Sequence, residues 1–219
     1  MGEADGIAEM TMEQASKFWD NMADKYARQP IADEDAYQTK LKVTRGYFRP
    51  DSEVLEFGCG TGSTALSHAP FVRHIRAIDF SARMIEIATA KAEAQGVGNV
   101  SFEVADITQL EVPDGSLDAV LGLSILHLLK NRHAVIAKVH RMLKPGGVFV
   151  SSTACIGDTM KVFKLIAPIG RAVGLLPILD VMTRDELVES LVGAGFSIAH
   201  HWQPGPDKAV FIVARKDEI

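Results

Sequence analysis

The spacing of apolar residues divides the chain into an N-terminal helical part and a longer part in which strands and helices alternate. Apolar and aromatic residues recur every three or four positions over 11–28, which predicts a helix. A second helix is predicted over 35–48, before Pro50. From Glu53 onward, short apolar runs predict strands at 54–57, 74–79, 101–104, 117–121 and 148–151. Helices are predicted between these strands, beginning near Ser63, Ser81 and Asn131. This alternation predicts an α/β fold with a mostly parallel sheet between two layers of helices.

The C-terminal part of the chain shows a different pattern. Residues 183–194 begin with a capping box and predict a helix, and two β-rich runs follow at 196–202 and 208–215. The loop between these runs is short enough for a hairpin, so one of the two strands should run antiparallel to the rest of the sheet. The preceding segment, 157–182, is apolar but interrupted by Pro and Gly. A substrate lid, a lipid-contacting surface and a packing element are all open interpretations of it, and we favour the lid.

Length and composition indicate one globular domain. The chain has 219 residues, of which 47% are hydrophobic and 23% are charged. We divide it into an N-terminal helical cap (1–50), a cofactor-binding core (51–156), the apolar insertion (157–182) and a C-terminal helix with a β-hairpin (183–219).

Charge and cysteine content narrow the class of protein. The net charge of −5 shows no sign of the basic face that binds nucleic acid. Cys59 and Cys155 lie far apart in the sequence and form neither a disulfide framework nor a metal-binding motif. We therefore expect no metal site. Since the sequence shows no signal peptide and no apolar run long enough to span a bilayer, we expect a cytoplasmic protein.

The most informative stretch is the glycine-rich loop that follows the first predicted strand. Gly58, Gly60 and Gly62 occupy alternate positions between a strand and a helix, where they allow a sharp turn and let a ligand approach the backbone. The carboxylate of Glu56, just before the loop, would repel a pyrophosphate but suits a cationic ligand. Asp79 ends the second strand about 20 residues later, where an acid can accept both ribose hydroxyls, although a helix N-cap is its alternative role.

Four stretches in order resemble the motifs of class I S-adenosylmethionine-dependent methyltransferases, and the closest subgroup is the small-molecule type that includes quinone-methylating enzymes. The stretches are VLEFGCGTGS, IRAIDFSARMIEIA, EVADITQLEVPDGSLDAVLGLSILHLL and LKPGGVFV, and they run from Val54 to Val150. The resemblance implies a Rossmann-like three-layer αβα sandwich. It also implies a seven-stranded sheet of order 3-2-1-4-5-7-6 with strand 7 antiparallel, covered by an N-terminal helical lid.

The resemblance also implies roles for particular residues. Those around the methionine part of the cofactor are Glu56, Gly58, Gly60 and Gly62. Asp79 is expected to hold the ribose, while the adenine contacts are Phe80, Asp106 and Ile107. Cys59 and Met84 are further cofactor-binding candidates. The backbone carbonyl of Leu123 would accept from the methionine ammonium. Tyr26 stands where relatives carry an aromatic residue near the methionine, and plain packing of the helix is its alternative.

The implied reaction is transfer of a methyl group from S-adenosylmethionine to a small-molecule O-, N- or C-nucleophile, which leaves S-adenosylhomocysteine. His127, just after the fourth strand, is the candidate general base, with a buried hydrogen-bonded histidine as its alternative. Two other functions stay open at this point: an NAD-dependent oxidoreductase and a cofactor-binding protein without catalysis.

Overall fold

The computed structural model describes residues 12–159 and 180–218 and is built around one seven-stranded sheet. The strands are β1 (Glu53–Phe57), β2 (His74–Asp79), β3 (Val100–Val104), β4 (Leu117–Leu123), β5 (Leu143–Thr153), β6 (Phe196–Trp202) and β7 (Val210–Lys216). The sheet order is β3-β2-β1-β4-β5-β7-β6. β7 runs antiparallel to both β5 and β6, whereas the pairs among β1 to β5 are parallel. The predicted strand order and the direction of strand 7 are therefore confirmed.

The helices of the described residues follow the predicted alternation with the strands. They are α1 (Met12–Arg28), α2 (Glu34–Arg45), α3 (Ser63–His68), α4 (Ala82–Gln95), α5 (Arg132–Met142), α6 (Ile156–Thr159) and α7 (Arg184–Gly193), with short 3₁₀ helices at Ala69–Phe71 and Leu126–Leu128. The capping box of α7 is present, since Thr183 and Glu186 each bond to the other's backbone.

The largest differences from the expected element boundaries are at the end of α2 and the start of β5. α2 ends at Arg45 rather than at residue 48, because Gly46 closes the helix with bonds to the carbonyls of Val43 and Thr44. β5 begins at Leu143 rather than at residue 148, so the segment Lys144-Pro145-Gly146-Gly147 lies within the strand. The pairing of β5 with β4 accommodates this segment through a register shift. Pro and Gly disfavour regular strand pairing, which is why the sequence pattern predicts that this strand begins only at residue 148.

Both faces of the sheet are covered by apolar side chains. One core cluster includes Leu55, Phe149 and Leu126, and the other includes Val54, Leu121 and Val150. Successive residues of a strand point to opposite faces of the sheet. A residue two positions along the strand from a member of one cluster therefore has its side chain on the same face as that cluster.

Most of the insertion at 157–182, and therefore its expected role as a lid, lies outside the described residues. Its two ends are described and adjacent, because the Gly157 N–H donates to the Met182 carbonyl at 3.0 Å. Of the N-terminal cap, residues 1–11 are also outside the described part.

Candidate functional site

The glycine loop forms a tight crossing between β1 and α3. Gly58, Gly60 and Gly62 all have positive φ, between 53° and 75°. A Cβ at Gly62 would lie 2.7 Å from the Phe102 ring, so this position excludes a larger residue by packing as well as by backbone conformation. Gly60 has open space beside it, and a Cβ there would meet the Tyr26 ring at 3.7 Å.

Asp79 ties this loop to the start of the next helix. One carboxylate oxygen accepts from the Gly60 N–H and the other from the Ser81 N–H, both at 2.9 Å. Burial raises the pKa of Asp79, while these backbone bonds oppose the shift. The N-cap of α4 is Ser81, whose hydroxyl accepts from the Met84 N–H. The helix-cap alternative for Asp79 therefore does not describe the structure, and its carboxylate stands beside the loop.

Glu56 is a buried carboxyl group with an unused oxygen. Its exposed fraction is 3%, and its Oε2 atom has no hydrogen-bond partner among the described residues. Burial, assisted by the charge of Asp79, raises the pKa of Glu56 to about 8. A carboxyl group in this state is poised to accept a cation that arrives with a ligand.

Cys59, inside the loop, is buried, and burial together with Glu56 and Asp79 raises the pKa of its thiol. It therefore stays protonated and has no nucleophilic character.

A cavity of about 330 Å³ lies beside the loop. Its walls contain five of the predicted cofactor residues, namely Gly58, Asp79, Phe80, Asp106 and Ile107. The other predicted residues, Glu56, Cys59, Gly60, Gly62, Met84, Leu123 and Tyr26, do not line this cavity, and neither does His127.

The cavity wall also contains residues that sequence reasoning missed. Ala15, Phe18 and Trp19 come from α1, and Leu128, Leu129, Lys130 and Asn131 come from the segment between β4 and α5. The three-to-four-residue spacing of apolar residues over 11–28 predicts a helix, but nothing in that spacing shows which helix face meets the cavity.

Asp106, the expected adenine acceptor, binds its own turn. Its carboxylate accepts from the Thr108 N–H at 2.9 Å and from the Thr108 hydroxyl at 2.5 Å. Each oxygen retains a second lone pair, so an additional donor can still bind. The adenine role therefore stays a prediction.

Helix α1 is held over the cleft by contacts with the beginning of α4. The Asp20 carboxylate accepts from the Ser81 hydroxyl at 2.6 Å and from the Arg83 N–H at 3.1 Å. Arg83 also pairs with Asp24 at 2.8 Å. These contacts connect residues about 60 positions apart in sequence, which is why local patterns did not reveal them.

Tyr26 lies over the glycine loop with 49% of its surface exposed. Desolvation raises the pKa of its phenol, and the charges of Asp79 and Glu56 add to the shift. The charges of both carboxyl groups that the sequence analysis identified thus act on this phenol.

Leu123 is the last residue of β4 and pairs with Ser152 of β5, so β4 extends two residues beyond its predicted end.

His127 lies in the 3₁₀ helix that follows β4. Its Nδ1 atom is buried without a partner among the described residues, and its carbonyl accepts from the Asp180 N–H at 2.7 Å. Burial lowers the pKa of the imidazole and Asp180 opposes this shift, so the ring is neutral near pH 7. A neutral imidazole is the form that a general base requires.

Neither a metal site nor a membrane-spanning helix is found in residues 12–159 and 180–218. No group of three or more His, Cys, Asp or Glu side chains there is placed to hold a metal ion. No helix in these ranges has the length and apolar character needed to cross a membrane.

Residues 54–147 match the family model described as a methyltransferase domain. This match supports a class I S-adenosylmethionine-dependent methyltransferase. The resemblance seen in the four motifs is thereby confirmed, and S-adenosylmethionine is the cofactor of this class. The NAD-dependent alternative is not favoured.

Two relatives and one solved structure illustrate the similarity. An uncharacterized methyltransferase, YcgJ of Bacillus subtilis, is 32% identical over 110 residues, covering 50% of this chain and 44% of the relative. The demethylmenaquinone methyltransferase of Leptospira interrogans is 37% identical over 103 residues, covering 45% and 41%. The chain thus spans less than half the length of these curated relatives.

The crystal structure of the [4+2]-cyclase SpnF has a TM-score of 0.76 to this chain. The two are 20% identical, and the match covers 97% of this chain and 98% of that one. This similarity shows a shared fold, and fold alone does not specify a reaction.

Proposed function

We propose that this protein binds S-adenosylmethionine in the cleft between the glycine loop and α1 and transfers its methyl group to a small-molecule acceptor. The observation that carries the proposal is the buried Glu56 carboxyl group, which has a free oxygen and no cation beside it among the described residues. A ligand with an ammonium group would supply the missing partner and favour the ionised form of Glu56, whereas a dinucleotide pyrophosphate would bring no cation to it.

The residues of the cleft fit the rest of this cofactor. Asp79 is positioned by the loop itself and keeps lone pairs for ribose hydroxyls. The apolar walls contributed by Phe80, Ile107 and Trp19 suit a flat aromatic base. Tyr26 presents its ring above the loop, near both carboxyl groups, where an aromatic face would attract a cation.

The bound cofactor supplies an electrophilic methyl group on a sulfonium, and the protein's task is alignment and exclusion of water. Glu56 would hold the methionine end of the cofactor and Asp79 its ribose, and α1, held by Asp20, would cover it. His127, kept neutral by burial, would accept the proton of an acceptor hydroxyl or amine that needs deprotonation.

The first test is calorimetric titration of the purified protein with S-adenosylhomocysteine, with NAD as the control. Micromolar binding of the former alone supports the proposal. Binding of NAD alone would overturn it and the reasoning about Glu56.

Turnover is tested separately with methyl-labelled S-adenosylmethionine and a panel of quinols, phenols and lipid amines. Transfer of label to any member supports enzymatic methyl transfer. Cofactor binding without transfer to any member would favour a non-catalytic binding protein for the compounds tested.

A further inference from the structure

Helix α2 carries a lysine that reaches across the fold to the end of β5. The Lys40 ammonium donates to the Ser152 hydroxyl at 2.9 Å, between residues 112 positions apart. Lys40 is only partly exposed. Across residues 12–159 and 180–218, this neutral hydroxyl is the one hydrogen-bond partner of the Lys40 ammonium, and no carboxylate pairs with that ammonium.

Asp33, whose charge acts on Lys40, forms no ion pair with it among the described residues. Asp33 caps α2 by accepting from the Ala36 N–H at 3.0 Å, and its other oxygen lies 3.5 Å from the Lys208 ammonium. Desolvation lowers the pKa of Lys40, and Asp33 opposes this only in part. A partly buried ammonium without a counter-charge is costly, and a ligand anion would remove that cost.

Strand register locates Lys40 relative to the cofactor cleft. Glu56 pairs with Leu121, and Leu123 pairs with Ser152, so Ser152 lies two strands from Glu56 and farther toward the carboxyl edge. Two strand spacings are about 10 Å. Glu56 and Ser152 follow Val54 and Val150 by two residues each, and those valines share one core cluster, so both side chains lie on the same face of the sheet.

Tyr37 shows that α2 spans the space between the glycine loop and β5. Its hydroxyl lies 3.4 Å from the Thr64 hydroxyl, at the start of α3. Lys40 is three residues further along α2, on the same helix face. The same face of α2 thus touches the end of the glycine loop and the end of β5.

We propose that the Lys40 ammonium binds the carboxylate of an organic-acid methyl acceptor, held beside the methionine end of the cofactor. A carboxylate is anionic at neutral pH without assistance, whereas a phenol is not. An anion there would offset both the ammonium of Lys40 and the cationic sulfonium. This inference rests on the proposed function, because it places the acceptor relative to the cofactor.

The test uses the protein saturated with S-adenosylhomocysteine and three pairs of probes. Each pair is a carboxylate and its amide: 4-hydroxybenzoate and 4-hydroxybenzamide, indole-3-acetate and indole-3-acetamide, octanoate and octanamide. We expect at least one carboxylate to bind about tenfold or more tightly than its amide. This preference should disappear in Lys40→Met, persist in Lys40→Arg, and persist in the control Lys42→Met, at an exposed position of the same helix.

A second measurement does not depend on the choice of probe. The sulfur of S-adenosylmethionine is positively charged, whereas that of S-adenosylhomocysteine is not. Removing the Lys40 charge should therefore raise the ratio of the affinity for S-adenosylmethionine to that for S-adenosylhomocysteine by roughly two- to tenfold. Lys40→Gln repeats this comparison if Lys40→Met folds poorly.

Three outcomes overturn the proposal and are distinguishable. Wild-type protein that binds S-adenosylhomocysteine but prefers none of the three carboxylates refutes the anion site. A preference for a carboxylate over its amide that survives Lys40→Met would mean that another residue binds the carboxylate. Wild-type protein that does not bind S-adenosylhomocysteine refutes the proposed function itself, and this inference with it.

Discussion

Replacing Glu56 by Gln should change the stability of the empty protein and the affinity for ligand in opposite directions. The carboxyl group has a pKa of about 8 in the folded protein and 4.5 ordinarily, so the folded state holds its proton more tightly than the unfolded chain. A raised carboxyl pKa stabilises the folded protein when the pH lies below the ordinary pKa of the group. This stabilisation is lost progressively as the pH rises toward 8. At about 1.4 kcal/mol per pH unit, the loss between 4.5 and pH 7 is about 3 kcal/mol.

The assay is denaturant unfolding of the unliganded protein at several pH values between 5 and 8. Wild-type protein should lose stability over this interval, and Glu56→Gln should remove most of that slope because Gln does not titrate. The exposed Glu111→Gln serves as the control and should retain the slope. Equal slopes in the wild type and Glu56→Gln would refute the assignment of a raised pKa to this buried group.

The same substitution should weaken ligand binding. Gln cannot offer a charged acceptor to the ligand ammonium, so the affinity for S-adenosylhomocysteine should fall about 10- to 100-fold. Calorimetry near pH 7 should also show proton release on binding to the wild type, because the ammonium favours the ionised carboxylate, and little release in Glu56→Gln. A variant with a flattened pH profile and unchanged affinity would mean that Glu56 is a buried structural acid and not a ligand contact.

Three further substitutions test separate parts of the site and fold. Asp79→Ala should fold yet lose about 1.5–3 kcal/mol of S-adenosylhomocysteine affinity, and calorimetry showing unchanged affinity would contradict the placement of the ribose. Gly62→Ala should lower the melting temperature more than Gly96→Ala: both positions have positive φ, but only Gly62 has close neighbours, so equal losses would exclude a packing effect. Asp118 pairs with Arg49 at 2.7 Å and with Lys144 at 2.8 Å; burial opposes the effect of these bonds, but the pKa of Asp118 is lowered. The stability gained from the two pairs should be lost as the pH falls through that lowered pKa. Asp118→Asn should show a shallower acid loss in unfolding experiments, and an unchanged loss would count against these pairs.

Local sequence patterns predicted much of the fold because they report local preferences. The run His74–Asp79 was predicted with its observed bounds, since apolar strand residues and flanking polar positions are visible in a short window. The start of β5 was missed because Pro145 and Gly146 disfavour strand geometry, and only the partner strand β4 shows that the pairing continues through a register shift.

The sequence by itself determined the alternation of strands and helices and the glycine loop with its acid, which depend on residue types at short, fixed spacings. Its four motifs carry the resemblance that implies the class of cofactor. The tertiary structure decided which distant residues meet. Asp20 of α1 reaches Ser81, and Lys40 of α2 reaches Ser152, through contacts that no local pattern encodes. It also decided the state of Glu56, because the pKa of a carboxyl group depends on burial and neighbouring charge, and both arise only when the sheet and its covering helices assemble.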